Sequence, residues 1–186
     1  MSSSLAPALL ISMPQLTDPN FTRTVILLCR HSLDEGSFGL VVNRPLVTSG
    51  RVVVNLDPPV TTDRELQLWV GGPVEPQRSW MLVGDDLPVE DPATRTEVLE
   101  GLYLSTAPDL LRRALDPEPP PRLRVMVGCS GWGPGQLEEE LREFSWLLSD
   151  VDRQLIFETP AERMWEAAIR RLGADPGTLH ASKGIH

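Results

Sequence analysis

The sequence predicts a mixed α/β or α+β fold, and three observations carry that expectation. Short apolar runs rich in β-branched residues recur between Gly- and Pro-containing turns, the pattern of buried strands. Three other segments place apolar residues at helical spacing behind helix-start signals. The strand-like runs outnumber the helical ones and interleave with them, which favours one sheet with helices packed against it. A chain of 186 residues fits a single domain, 1–186, large enough to bury a core without staples. Roughly 1–7 and 177–186 read as flexible tails.

From the N-terminus, Leu5 to Ile11 is a short apolar run, and Asp18-Pro19 offers a cap for one turn. Thr24 to Cys29 and Phe38 to Val42 read as adjacent strands joined by the turn Ser32 to Gly36. Asn43, Arg44 and Pro45 close the second of them, because proline brings no ladder donor and biases the residue before it away from helix. Residues Leu46 to Glu65 show no sustained period and read as irregular, with room for a short helix or strand. Leu66 to Val70 is strand-like and runs into a tight turn at Gly71, Gly72 and Pro73. Ser79 to Val83 is a further strand, followed by an exposed acidic loop to Pro92. A first helix is predicted from a capping box at Thr106 to Asp109, with Leu110, Leu111, Ala114 and Leu115 as its stripe. After a strand from Leu123 to Gly128 and a glycine-rich turn, Leu137, Leu141, Phe144 and Leu148 predict one helical face. A last helix is predicted from Thr159 to Glu162, with Trp165, Ala168, Ile169 and Leu172 on its face and Gly173 as its stop.

Seventeen basic against 26 acidic residues give a net charge of −9. A field of that sign repels phosphate backbones and anionic lipid surfaces, so it argues against direct nucleic-acid binding. No apolar run approaches the length of a membrane span, and the N-terminus lacks the pattern of a secretory signal; the chain reads as cytoplasmic, with no membrane association. The two cysteines and three histidines show no metal-ligand spacing, so neither a metal nor a cofactor is expected.

The candidate chemistry lies at turns. Gly128 to Gln136 reads as a strand-to-helix turn, the kind that can cradle phosphate. It has no Walker lysine, its glycines are not spaced as G-x-G-x-x-G, and Glu138, Glu139 and Glu140 in the first helical turn oppose an anion. The structural reading is favoured, with Trp132 as a packed lid rather than an exposed stacking platform. Ser130 sits where a hydrolase elbow would place a nucleophile, but Trp132 stands where that motif needs glycine. Cys29 and His31, two apart on a strand, are predicted to share a face, where an imidazolium would lower the thiol pKa. Cysteine in an apolar run is more commonly a small core residue. Asn43, Arg44, Gln77 and Arg78, at strand ends, are candidates for a recognition rim.

Several segments, taken together, resemble the YqgE/AlgH family of small bacterial proteins. They are Leu9 to Gln15, Asp18 to Ile26, Gly39 to Pro45, Gly71 to Val74, Gly131 to Glu138, Trp146-Leu147, and Ile156 to Pro160 with Trp165 and Leu172-Gly173. The resemblance implies one domain whose bent sheet forms a pseudo-barrel with helices around it. It also implies a cytosolic protein with a family-level association to transcriptional regulation of exopolysaccharide genes. It brings no catalytic or cofactor residues. Val83 stands where many members carry histidine, and Cys129-Ser130 replaces the commoner Tyr-Ala.

The reading that follows is a non-enzymatic regulatory or binding module, linked indirectly to transcription, that contacts a protein partner or a small molecule. Its surface is assigned to Asn43, Arg44, Gly71, Gly72, Pro73, Gly131, Trp132, Gly133 and Gln136. The alternatives are an enzyme using Cys29 with His31 or Cys129 with Ser130, and a direct DNA-binding regulator, which the charge opposes.

Overall fold

A computed structural model describes residues 3–85 and 87–179. Its strands are β1 (Ala8–Ser12), β2 (Val25–Ser32), β3 (Gly36–Val41), β4 (Pro45–Val47), β5 (Val52–Val54), β6 (Val60–Thr62), β7 (Gln67–Val70), β8 (Val74–Val83), β9 (Arg95–Leu99), β10 (Leu102–Ser105), β11 (Leu123–Trp132) and β12 (Trp146–Ser149). Its helices are α1 (Pro108–Ala114), α2 (Gln136–Arg142), α3 (Arg153–Glu158) and α4 (Ala161–Arg171). Ten strands form one sheet, ordered β12-β1-β2-β3-β11-β8-β10-β9, with β7 also paired to β11 and β4 to β7. The sheet curls strongly into a half-barrel, as the mixed single-domain fold predicted.

Alternation along the strands sorts the core. Leu9, Ile11, Val25, Leu27 and Leu40 from one half of the sheet meet Trp80, Leu82, Leu102, Leu104 and Met126 from the other, and Leu155, Ile156, Met164, Trp165, Ala168 and Ile169 close over them. The concave face is thus a trough plugged by α3 and α4. The intervening residues Ala8, Leu10, Ile26, Leu28 and Val41 face outward under Trp132, Leu137 and Trp146. Met81, Val83, Tyr103 and Leu123 back onto Ala107 and Leu110 near the start of α1. Trp165 fixes α4 by donating its indole N–H to Ser12 O at 2.8 Å. Gly173, at φ 81°, ends it with Gly173 N to Arg170 O and Ala174 N to Ile169 O bonds, the paired pattern of a left-handed C-terminal cap.

Several local expectations are corrected. The strand predicted to end at Gly128 runs on to Trp132, because residues Ser130 to Trp132 pair with Ser37 to Gly39 of β3. Ser130 therefore lies within a strand and not on an elbow. The helix predicted through Leu148 stops at Arg142; Phe144 adopts φ 58° and Trp146–Ser149 pairs with β1 instead. The stretch read as irregular with room for one short element holds β5 and β6 and most of β4, and β9, β10 and α3 arise where no element was predicted. Thr106 does not cap α1: Ala107 is its N-cap, and no side chain makes the capping bond. The predicted box at Thr159 also fails, Pro160 being the N-cap of α4.

Candidate functional site

The turn residues singled out by sequence are mostly engaged in holding the fold. Asn43 is buried; its Oδ1 accepts from Val25 N at 3.0 Å and its Nδ2 donates to Arg23 O at 3.0 Å. Arg44 donates to Asn20 O at 2.6 Å and Thr22 O at 3.0 Å, so the pair clamps the loop before β2. Burial lowers the Arg44 pKa, while nearby Asp18 acts against that shift. Gly71 and Gly72 cross Gly128 and Cys129 backbone on backbone; a Cβ at Gly71 would collide with Gly128 O, and one at Gly72 with Cys129 O. Only glycine permits that approach. Arg44, Gly72 and Pro73, with Asn20 and Val41, line a depression of about 60 Å³, too small for more than a water or two.

Gly131, Trp132, Gly133 and Gln136 lie elsewhere. Trp132 pairs with Ser37 at the start of β3, whereas Asn43 follows its end, so Asn43 and Arg44 sit at the opposite end of that strand from Trp132. Trp132 is buried against Trp146, with ring centroids 6.2 Å apart and nearly perpendicular. Gln136 Oε1 accepts from Gly133 N at 2.9 Å, so its side chain closes its own turn. Gly71 and Gly72 lie between these two ends, against Gly128 to Ser130.

The paired nucleophile sites also come apart. In β2, Leu28 pairs with Gly39 but Arg30 with Phe38, so Cys29 is an extra residue in a bulge. A bulge lets two successive side chains fall on one side. Cys29 and Arg30 both line the trough, while His31 turns to the outer face. There its Nδ1 accepts from Leu5 N at 3.0 Å and its Nε2 bonds Glu138 Oε1. This corrects the expectation that Cys29 and His31 share a face. Burial pushes the Cys29 thiol up to about 12, against a smaller opposing pull from Arg30. Cys129 is buried and its thiol is likewise raised, chiefly by burial. Ser130 Oγ, fully buried, donates to Gly71 O at 3.0 Å. Among the described residues no cluster of His, Cys, Asp or Glu is arranged to hold a metal.

What the fold does build is a cavity of about 480 Å³ at one end of the trough, beyond the helical plug. Cys29 and Arg30 of β2, Phe38 of β3, and Glu75, Arg78 and Trp80 of β8 form one wall. Thr94, Thr96, Val98, Leu104, Ser105 and Thr106 form the other. Phe38 and Trp80 lean together with centroids 5.6 Å apart. The Arg30 guanidinium lies 5.8 Å from the Phe38 centroid, and that of Arg78 lies 4.9 Å from the Trp80 centroid. Stacking of this kind holds a guanidinium plane while leaving its N–H edges free to donate. Arg78 also meets Glu75 Oε2 at 3.5 Å. An aromatic floor between two cations, facing a wall of four hydroxyls, can recognise a small organic anion.

Arg78 was named from sequence as a rim candidate. Arg30, Phe38 and Trp80 were not, because each alone looks like an ordinary strand residue. The readable signal was confined to β8, where Arg78 stands two residues before Trp80; Arg30 and Phe38 lie on β2 and β3 and meet only through strand pairing.

The profile of the AlgH-like family matches residues 9–177. Among similar proteins, a UPF0301 protein of Myxococcus xanthus is 40% identical over 186 residues, covering 98% of this chain and 99% of the relative. One of Stenotrophomonas maltophilia is 42% identical over 178 residues, covering 93% and 92%. Among solved structures, the solution structure of AlgH from Pseudomonas aeruginosa matches with TM-score 0.72 and 33% identity over 100% of this chain and 99% of that one. A Corynebacterium diphtheriae protein shares the fold at TM-score 0.65 and 19% identity, covering 92% and 88%.

Proposed function

The chain belongs to the AlgH-like family, and from that premise we propose that it is a binding module that takes a small organic anion at the open end of its trough. The observation that carries the reading is the pairing of Arg30 on Phe38 with Arg78 on Trp80 around one cavity. Its volume, about 480 Å³, falls in the range of small-molecule sites. The raised thiol pKa values of Cys29 and Cys129 and the engaged hydroxyl of Ser130 favour binding over nucleophilic chemistry. In this reading Asn43, Arg44, Gly71, Gly72, Pro73, Gly131, Trp132, Gly133 and Gln136 frame the trough instead of contacting the ligand. The regulatory association then runs through ligand-dependent contact with a protein partner inside the cytoplasm, since a net charge of −9 opposes contact with DNA.

A thermal-shift panel of organic phosphates and carboxylates tests the proposal. A ligand present at about 100 times its Kd adds about 2.7 kcal/mol. At roughly 2–4 °C per kcal/mol for this size, the melting point rises by about 5–10 °C. Replacing Arg30 and Arg78 by alanine removes that rise. A panel with no shift, or a shift that survives the double substitution, contradicts the proposal.

A further inference from the structure

At the other end of the trough lies a second cavity of about 400 Å³, drawing on the first residues of β11, on β7 and on the proline-rich loop after α1. Arg124 is the group that stands out there. Its guanidinium lies 3.9 Å from the Trp69 ring centroid and 5.2 Å from that of Phe157. Its hydrogen bonds, to Val42 O at 3.5 Å and Phe157 O at 3.4 Å, are long and go to neutral carbonyls. Among the described residues no carboxylate pairs with it. A cation taken largely out of water without a counter-charge is costly, and the cost is relieved by an anion that donates no proton and accepts in the guanidinium plane.

We infer that this end of the trough is a second binding site, for a monocarboxylate with an apolar body. One uncompensated positive charge asks for one negative charge. Arg64, also on the cavity wall, is spent on Leu115 O, while Glu65 and Asp116 on the same wall repel a dianion. A guanidinium edge matches a carboxylate with two parallel bonds. Trp69, Leu66, Pro117 and the three prolines Pro119 to Pro121 supply the apolar surface for the body of the ligand. Burial lowers the Arg124 pKa to about 10, which keeps it charged at neutral pH while marking the missing partner. This site is independent of the one proposed above, since pairing of Gly131 with Phe38 puts that cavity at the far end of β11.

The test is a nitrogen–proton correlation titration of the whole chain with sodium benzoate near neutral pH and at fixed ionic strength. Benzamide serves as the uncharged isostere and inorganic phosphate as the competing anion. The Trp69 indole and Arg124 Nε–H signals report this site, and the Trp80 indole reports the other. Benzoate is expected to move the Trp69 and Arg124 signals saturably, about tenfold or more tightly than benzamide. Arg124→Gln, checked for native dispersion in the remaining spectrum, is expected to erase that preference. Equal effects of benzoate and benzamide, a stronger response to phosphate, or movement at Trp80 alone would overturn the inference. The wild-type comparison stands even if the substituted chain fails to fold.

Discussion

Trp132 stands edge-on to Trp146, which stands edge-on to Phe21 at 5.8 Å. Such a row fills the outer face of the sheet and leaves the indole of Trp132 little surface for a ligand. Trp132→Ala is therefore expected to cost about 3–5 kcal/mol in stability, as large aromatic truncations do. It should leave the anion response of the trough intact, which chemical denaturation with and without ligand would measure. Loss of binding at unchanged stability would return the site to the glycine turn. The same residue-scale logic separates Arg44 from Arg78. Both were expected at strand ends, but Arg78 lies within β8; Arg44 spends its donors on Asn20 O and Thr22 O, whereas Arg78 keeps an edge toward the cavity.

At the scale of elements, the tie between β2 and α2 carries a pH dependence. Burial raises the Glu138 pKa, but the His31 hydrogen bond and backbone contacts outweigh it, so the carboxyl sits below its ordinary value. A carboxyl depressed by folding binds fewer protons in the native state, so it adds stability above its unfolded pKa and loses it as pH falls through the folded one. Glu138→Gln is expected to flatten the acid side of the melting curve against pH while leaving the alkaline side unchanged; an unaltered acid limb would contradict this. The same region shows where sequence reading fails. Leu137, Leu141, Phe144 and Leu148 fit a helical face, but β1 needs a partner at its edge, and Trp146 to Ser149 pair with Leu9 to Ser12. Tertiary pairing overrides the period. The hairpin of β9 and β10 had a readable signal, Gly101 between Val98-Leu99 and Leu102 to Leu104, and Gly101 does adopt φ 78°. Helix α4 and the strands β2, β3 and β7 were legible because periodicity and punctuation agreed.

For the whole molecule, the decisive geometry is the curl. It brings Cys29 and Arg30, Phe38, Arg78 and Trp80, and Thr94 to Thr106 around one volume although they are far apart in sequence. No spacing rule links those segments, so the fold class was legible and the cavity was not. The bulge at Cys29 and the crossing of Gly72 over Cys129 are likewise properties of paired strands, invisible in one strand's residues. No helix among the described residues is long and apolar enough to cross a membrane. The trough, plugged in its middle by α3 and α4 and open at both ends, is the feature from which function is argued. Its most direct test is a backbone chemical-shift map of the wild-type protein with the strongest anion of the thermal panel. The account predicts changes concentrated at Cys29, Phe38, Arg78, Trp80, Thr96 and Leu104. Changes concentrated at Asn43 to Arg44, Gly71 to Pro73 or Gly131 to Gln136, with the trough silent, would contradict it.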